Sequence, residues 1–560
     1  MAFVTKVQKM GVAALLLGVS VFLSRFMGLV RDKVISWNFG ASSEADIYFT
    51  SFVIPDFINY LLAGGYFSIT LIPLLSACFE HDKNSADVLG TAVETPPNEK
   101  KSDSGQSAWH FFSAAFWWVS IIISCVTAVA WWHAPRLAEL AAPGFDADAV
   151  ARLSYFLRII LPAQICFLMG ACLTALLYQR RQFTIPAMTP LVYNGCIILG
   201  GLAMLYVAPE RGMEGFCWGV LVGALLGSFV LPLWAVWRGG FTLHLTLRHP
   251  YVKRFLLLAL PLMIGQSVVV LDEQFVRIFG SLAGEGAVSL LNYARRIMLV
   301  PVGVVAQAAG LASYPFLAAL AAKGDTKAFD ATLSSALRNT LVVIIPLAAW
   351  MIVAAEPTLR LIFEGGDFGA QQTQQAVPLL QVMLCGVAFW AIQQVVGRAF
   401  YAQQDTVSPA VVGTIATALS LPLYALWAKD DGALGVAMAG VAAVVLYTLI
   451  LGILWAYRHG RGGLQGMVKT SAVSVLLTLP AAALAWWPAV HLPNIGVDCI
   501  SKNTILISYT WLVHPILWAL VALGVSFLIF LLVYISLVWY FMPEMLRPIV
   551  ERFQKKYARS

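Results

Sequence analysis

Charged side chains are scarce in this sequence. Only 12% of its 560 residues are Asp, Glu, Lys or Arg, against 60% that are hydrophobic. No soluble domain needs that much apolar sequence, whereas a polytopic membrane protein does, because each spanning helix takes about 20 mostly apolar residues. Cysteine is also thin. The eight cysteines are scattered singly, without a CxxC or a Cys/His cluster, so neither a disulfide framework nor a zinc site is supported. They read as small buried apolar residues, with Cys499 alone in a loop. Enzyme signatures are missing as well: GxSxG, Walker A, HExxH and the dinucleotide fingerprint do not occur. The Gly-rich FEGGDFGA (363–370) follows no strand and is not a phosphate cradle. The expectation is a non-enzyme without cofactor or metal, driving a secondary or facilitated process rather than one fuelled by a bound nucleotide.

What is present is a series of apolar segments with short polar breaks, near 10–36, 45–79, 109–133, 150–178, 187–208, 213–237, 254–280, 286–321, 332–354, 373–402, 408–428, 432–457, 467–488 and 508–541. These predict an all-α fold of about fourteen spans. The first is preceded by Lys6 and Lys9 like a signal peptide, but it is too long, is charged in its far half and lacks a small-residue cleavage site, so it reads as a retained helix. With the N-terminus inside, inner breaks outweigh outer breaks in Lys and Arg by about four to one. An even span count then puts both termini in the cytoplasm. The polar stretch 81–108 reads as flexible, and the basic tail from Arg547 as lying on the anionic inner leaflet.

A weak internal repeat is visible. QFTIPAMTP (182–190) and QQDTVSPAV (403–411) follow the fourth and tenth spans; FSITLIPLLSA (67–77) and GLASYPFLAAL (310–320) close the second and eighth. Both copies keep the same inside/outside sense. This predicts two pseudo-symmetric lobes, 1–240 and 241–460, around a central cavity, followed by a C-terminal helix pair with the tail, 461–560.

The costly charges within the spans gather on few helices. The first span carries Arg25, then Arg31, Asp32 and Lys33; the second has Asp46 and Asp56; the seventh has Asp272, Glu273 and Arg277; the eighth has Arg295 and Arg296. An arginine at the centre of a span costs roughly 2.5 kcal/mol or more if it faces lipid, so each calls for a reason. Glu273 and Arg277 are four apart and can simply pair with one another. Arg31, Asp32 and Lys33 can snorkel at the boundary, and Asp46 can sit in a first helical turn. Arg25 and Arg296 are harder to dismiss, being mid-span without an acid within four residues. Arg295 points about 100° away from Arg296. Guanidinium forks match phosphate and carboxylate, so a wet cavity lined by them suits an anionic head group, with a diphosphate as a strong candidate. Asp272 can pair with an arginine when the site is empty, or sense a coupling ion.

SRFMGLVRD (24–32), FGASSEAD (39–46), GGYFSITLIPLLS (64–76), RRQFTIPAMTPLVYN (180–194), NYARRIMLVP (292–301) and AFYAQQDTVSPA (399–410) together resemble the MurJ/MviN family, within the multidrug/oligosaccharidyl-lipid/polysaccharide exporter superfamily. The resemblance runs from about residue 10 to 540. It implies fourteen helices in two lobes, a groove for a lipid tail made by the last two, and flipping of the undecaprenyl-diphosphate-linked disaccharide-pentapeptide, lipid II, across the cytoplasmic (inner) membrane by alternating access. It also implies that Arg25, Arg31, Asp46 and Arg296 are essential. The chain departs from the family pattern at Asn59, Tyr60, Gly64, Arg295 and Leu299, and the extra charges of the seventh span would compensate. Flipping of another polyprenyl-diphosphate glycan, an O-antigen or capsule unit, is the alternative. A cation-coupled drug exporter would want acids to outweigh arginines, and a membrane glycosyltransferase would want catalytic groups in a large outer loop.

Overall fold

The computed structural model describes residues 10–63, 71–76, 78, 106–238, 243–257, 271–502 and 513–542, and among these it is helical without a strand ladder. Most of 81–108 and the tail from Arg547 lie outside the described residues. Among the described residues, ten helices are long and apolar enough to cross a membrane, and one of them, Val407–His459, contains two of the expected spans. It breaks at Gly432, whose φ of 57° and ψ of −134° are open to glycine and strained for other residues. The first two expected spans appear as helices over Met10–Phe39 and Ser43–Ala63, and the seventh is described up to residue 257 and from 271. The fold is thus the all-α polytopic architecture expected. Cys499, read as a loop residue, instead falls on a helix that continues to Lys502.

Contacts divide the chain into two compact units: Met1–Val34 with Ser43–Ile278, and Ile35–Ser42 with Phe279–Ser560. The first unit holds α1 (Met10–Phe39) up to Val34, α2 (Ser43–Thr50), α3 (Val53–Ala63), α4 (Gln106–Trp132), α5 (Ala134–Ala141), α6 (Ala147–Ile160), α7 (Ala163–Gln179), α8 (Thr184–Val207), α9 (Gly212–Gly223), α10 (Leu231–Arg238) and most of α11 (Leu271–Gly280). Its tightest packing is made by glycine. Gly215, Gly219, Gly223 and Gly227 recur every fourth residue along α9 and the π-helical turn that extends it. Cβ atoms there would press on the backbone of Thr189, Tyr193, Cys196, Ile197 and Gly200 in α8. Without a hydrophobic force between helices in lipid, such small-residue stripes let backbones approach and gain van der Waals contact.

The second unit holds α12 (Ala287–Pro301), α13 (Gln307–Lys323), α14 (Thr326–Val353), α15 (Ala355–Ile362), α16 (Ala370–Cys385), α17 (Val387–Ala402), α18 (Val407–His459), α19 (Met467–Lys502) and α20 (Val513–Phe541). Pro301 cannot donate a backbone hydrogen bond, and a π-helical turn, Val302–Ala306, follows it. Pro301 thus marks an irregularity of the backbone, whereas Gly28 lies inside the continuous α1. The C-terminal pair packs through Leu477, Ala481, Ala485, Phe530, Tyr534 and Val538. It docks on α14, where the Tyr534 hydroxyl donates to the Val342 carbonyl at 2.8 Å.

The internal repeat is written into the backbone. Ala147 and Ala370 open α6 and α16, and Thr184 and Val407 open α8 and α18, each pair 223 residues apart. Arg181 and Gln404, the same distance apart, are the two non-glycine residues with left-handed φ among the described residues. Both close their helix alike: the Gln182 and Asp405 amides reach back to the Leu177 and Phe400 carbonyls, the six-to-one bond of a Schellman cap. Pro186 and Pro409 then sit in the first turn of the next helix.

The second copy adds a charge. Asp405 accepts from the Ser408 amide at 2.9 Å and hydroxyl at 2.6 Å, and from Arg458 at 2.8 Å. Burial alone would push the carboxyl up; the Ser408 bonds and Arg458 outweigh it and hold it below the usual carboxylate range. A depressed folded-state value stabilises above the unfolded value near 3.9 and is lost as pH falls through the folded one. Asp405→Ala is therefore expected to cost about 1 kcal/mol at neutral pH. In thermal unfolding of the detergent-solubilised protein, the gap to the unaltered chain should narrow below about pH 4 as the carboxyl protonates.

Candidate functional site

The charges singled out from sequence separate into distinct settings. In the first unit, Arg31 is half-buried, and its guanidinium grips the neighbouring Asp32 with Nε at 3.0 Å and Nη2 at 2.9 Å. Asp32 and Asp46 are both almost wholly buried. Asp46 does lie in the first turn of α2, beside Glu44, where the helix dipole favours an acid. Arg25 is exposed on α1, amid exposed Phe22, Leu23 and Phe26.

Arg277 anchors the densest group. On α11 it donates to Glu273 one turn back at 3.0 Å, as the spacing allows, and to Gln274 at 3.3 Å. It also donates to Asp56 on α3 at 2.8 Å, a partner 221 residues away in sequence. The intrahelical pair is thus only half of the arrangement. With its side chain 10% exposed and the two acids about a third exposed, the arginine is buried while the carboxylates reach its rim. The side chain of Asp272 lies outside the described residues.

A further first-unit network had not been singled out. Arg152 on α6 pairs with Glu214 on α9 at 2.6 Å and Glu44 on α2 at 3.0 Å, and lies over the Phe156 ring at 4.7 Å. It ties three helix beginnings together. Its sequence signal was the presence of acids in the first turns of α2 and α9, which need a cation to neutralise them.

In the second unit, Arg295 and Arg296 lie on the less buried side of α12. Leu290, Leu291, Tyr293, Ala294, Ile297 and Met298 fill the other side. Their helix start is fixed by the segment 35–42: the Tyr293 hydroxyl donates to the Gly40 carbonyl at 3.0 Å, and a Cβ on Gly286 would press on the Ala41 carbonyl. The same segment is clasped from the other side. The Asp367 amide donates to the Trp37 carbonyl at 2.9 Å, and Gly365 and Gly366 turn so closely over Trp37 that no side chain fits. FEGGDFGA is thus a tight turn moulded on the end of α1. The structure joins Glu273 with Arg277, and Arg31 with Asp32.

Apolar helices carrying buried cations, duplicated at a fixed spacing and followed by a docked helix pair, define a polytopic membrane protein built on an internal repeat. The lipid II flippase MurJ structure in its inward closed conformation superposes with a TM-score of 0.74 over 95% of this chain and 100% of its own, at 22% identity. An inward-facing multidrug resistance MATE family transporter of the MOP superfamily gives 0.58 over 82% and 98%, at 14% identity. At those identities the likeness is one of fold. The chain belongs to the Lipid II flippase MurJ family, whose model matches residues 35–505. Among relatives, it is 26% identical over 488 residues to the lipid II flippase MurJ of Burkholderia cenocepacia, covering 85% of this chain and 89% of that one. It is also 26% identical over 473 residues to the probable lipid II flippase MurJ of Rhizobium meliloti, covering 82% and 83%.

Proposed function

We propose that this protein carries lipid II, the undecaprenyl-diphosphate-linked disaccharide-pentapeptide, from the inner to the outer leaflet of the cytoplasmic membrane. The observation that carries the reading is the family match over residues 35–505. Physics supports the mode. A bare diphosphate in hydrocarbon would cost tens of kcal/mol by Born solvation, so the head group must travel in a hydrated, cation-lined chamber while the prenyl tail stays in lipid. Arg25, Arg31, Arg277, Arg295 and Arg296 supply the guanidinium forks; Asp46 and Glu273 hold them in place. Asp272 pairs with an arginine when the site is empty, or senses a coupling ion. The lobes 1–240 and 241–460 alternate access, and 461–560 guides the tail. Both termini lie in the cytoplasm, and the work is transport without covalent chemistry.

Depleting this chain from its host is expected to cause lysis with lipid II trapped in the inner leaflet. An assay of lipid II accessibility at the outer surface, in cells carrying or lacking the chain, reads it directly. Unchanged accessibility, with another lipid-linked glycan trapped instead, would move the protein to an O-antigen or capsule flippase.

A further inference from the structure

The segment 243–257, just before the seventh span, carries charges that the flipping reading does not use. It is laced to α4. The Trp117 and Trp118 indole N–H groups donate to the His244 and Leu247 carbonyls at 3.1 and 3.0 Å, and the His244 amide donates to the Ser113 hydroxyl at 3.1 Å. The segment and Trp118 of α4 border a wide-open cavity of about 550 Å³ lined by Trp118, Leu247, Arg248, His249, Lys253 and Leu256, among others. Its walls are mostly apolar, and its cations, Arg248 and Lys253, have no carboxylate partner among the described residues. Beside it, Leu245, Leu247, Tyr251 and Leu257 are exposed together with Arg254. Exposed apolar side chains interleaved with cations are the composition of a segment lying in the boundary of an anionic leaflet.

We propose that this cavity binds the phosphate of an anionic glycerophospholipid of the inner leaflet, with Arg248 and Lys253 on the phosphate and an acyl chain along Trp118 and Leu256. Charge complementarity selects this occupant: two cations on an apolar wall suit a head group that is anionic above and hydrocarbon below, and a zwitterionic lipid would bring its own ammonium against them. The Trp118 indole is held by its bond to Leu247, so the apolar wall is formed in advance. The placement at the inner leaflet rests on the orientation proposed above.

The test is native mass spectrometry of the full chain released from detergent, titrated with phosphatidylglycerol or phosphatidylcholine. The unaltered chain is expected to retain one phosphatidylglycerol more tightly than phosphatidylcholine. Arg248→Gln with Lys253→Gln should weaken that adduct about 30-fold, the factor for about 1 kcal/mol from each of two cations. Arg248→Lys with Lys253→Arg should keep it. Equal retention by the neutralised variant, equal binding of phosphatidylcholine, or displacement by an equal concentration of undecaprenyl diphosphate would each overturn the proposal. Orientation is read separately, by labelling Leu245→Cys, in a chain whose eight native cysteines are replaced by serine, with a membrane-impermeant maleimide from the inner side, so a reversed topology and an absent lipid site give different results.

Discussion

Arg25→Ala and Arg296→Ala are each expected to abolish complementation of a flippase-depleted strain while the variant accumulates in the membrane at the normal level. Both arginines sit where a span would more cheaply carry leucine. Arg25 is surrounded on α1 by exposed Phe22, Leu23 and Phe26, and Arg296 lies on the less buried side of a helix whose other side is packed with apolar residues. The membrane level of each variant separates a lost charge from a lost fold. What alanine removes is a fixed charge with a planar fork, and losing one partner of a desolvated charge pair costs about 2–5 kcal/mol. At 1.4 kcal/mol per tenfold, flipping should fall by about 30-fold or more in each variant. Lysine at either position should restore part of the loss, because it keeps the charge without the bidentate geometry. Full activity of both alanine variants in the outer-surface lipid II assay would refute the assignment.

The spans were legible because each needs only length and apolarity, and those survive any sequence drift that keeps a helix in lipid. The repeat was legible at two pairs of segments, QFTIPAMTP with QQDTVSPAV and FSITLIPLLSA with GLASYPFLAAL. Elsewhere lipid-facing positions accept any apolar residue, and the two copies have drifted apart in letters while keeping helix starts and the Arg181/Gln404 caps in step. The glycine stripe 215–227 was written openly in the sequence at a spacing of four; its role emerges from the α8 backbone it meets. For the charges, sequence identified which residues were out of place but not their partners. Arg31 holds the adjacent Asp32, and Glu273–Arg277 was readable from the helical period. Asp56 was not readable as the partner of Arg277, because no local rule links positions 221 residues apart. Arg152 lies near a span boundary, where charge is cheap, and so drew no attention although it pairs with two acids.

Arg277→Met is expected to be the most destabilising single change among these charges, and a second substitution separates its two roles. The guanidinium is buried, and it neutralises Asp56 and Glu273 together. Removing one member of a buried pair typically costs 3–5 kcal/mol because the remaining charge is left uncompensated. Here both carboxylates are about a third exposed, so water compensates in part and the loss should sit near 3 kcal/mol. Asp56→Asn in the Arg277→Met background removes the more intimate of the stranded charges and should return much of the thermal stability measured in detergent. Glu273, about a third exposed, is the less costly charge to leave unpaired. If Arg277 served only to hold α3 against α11, flipping would return together with stability. The reading advanced here, in which the same guanidinium exchanges the carboxylates for the substrate's diphosphate, requires the double variant to fold well and still fail to expose lipid II at the outer surface. Recovery of both would leave Arg277 a structural clamp and shift the anion-binding role to Arg25, Arg31, Arg295 and Arg296.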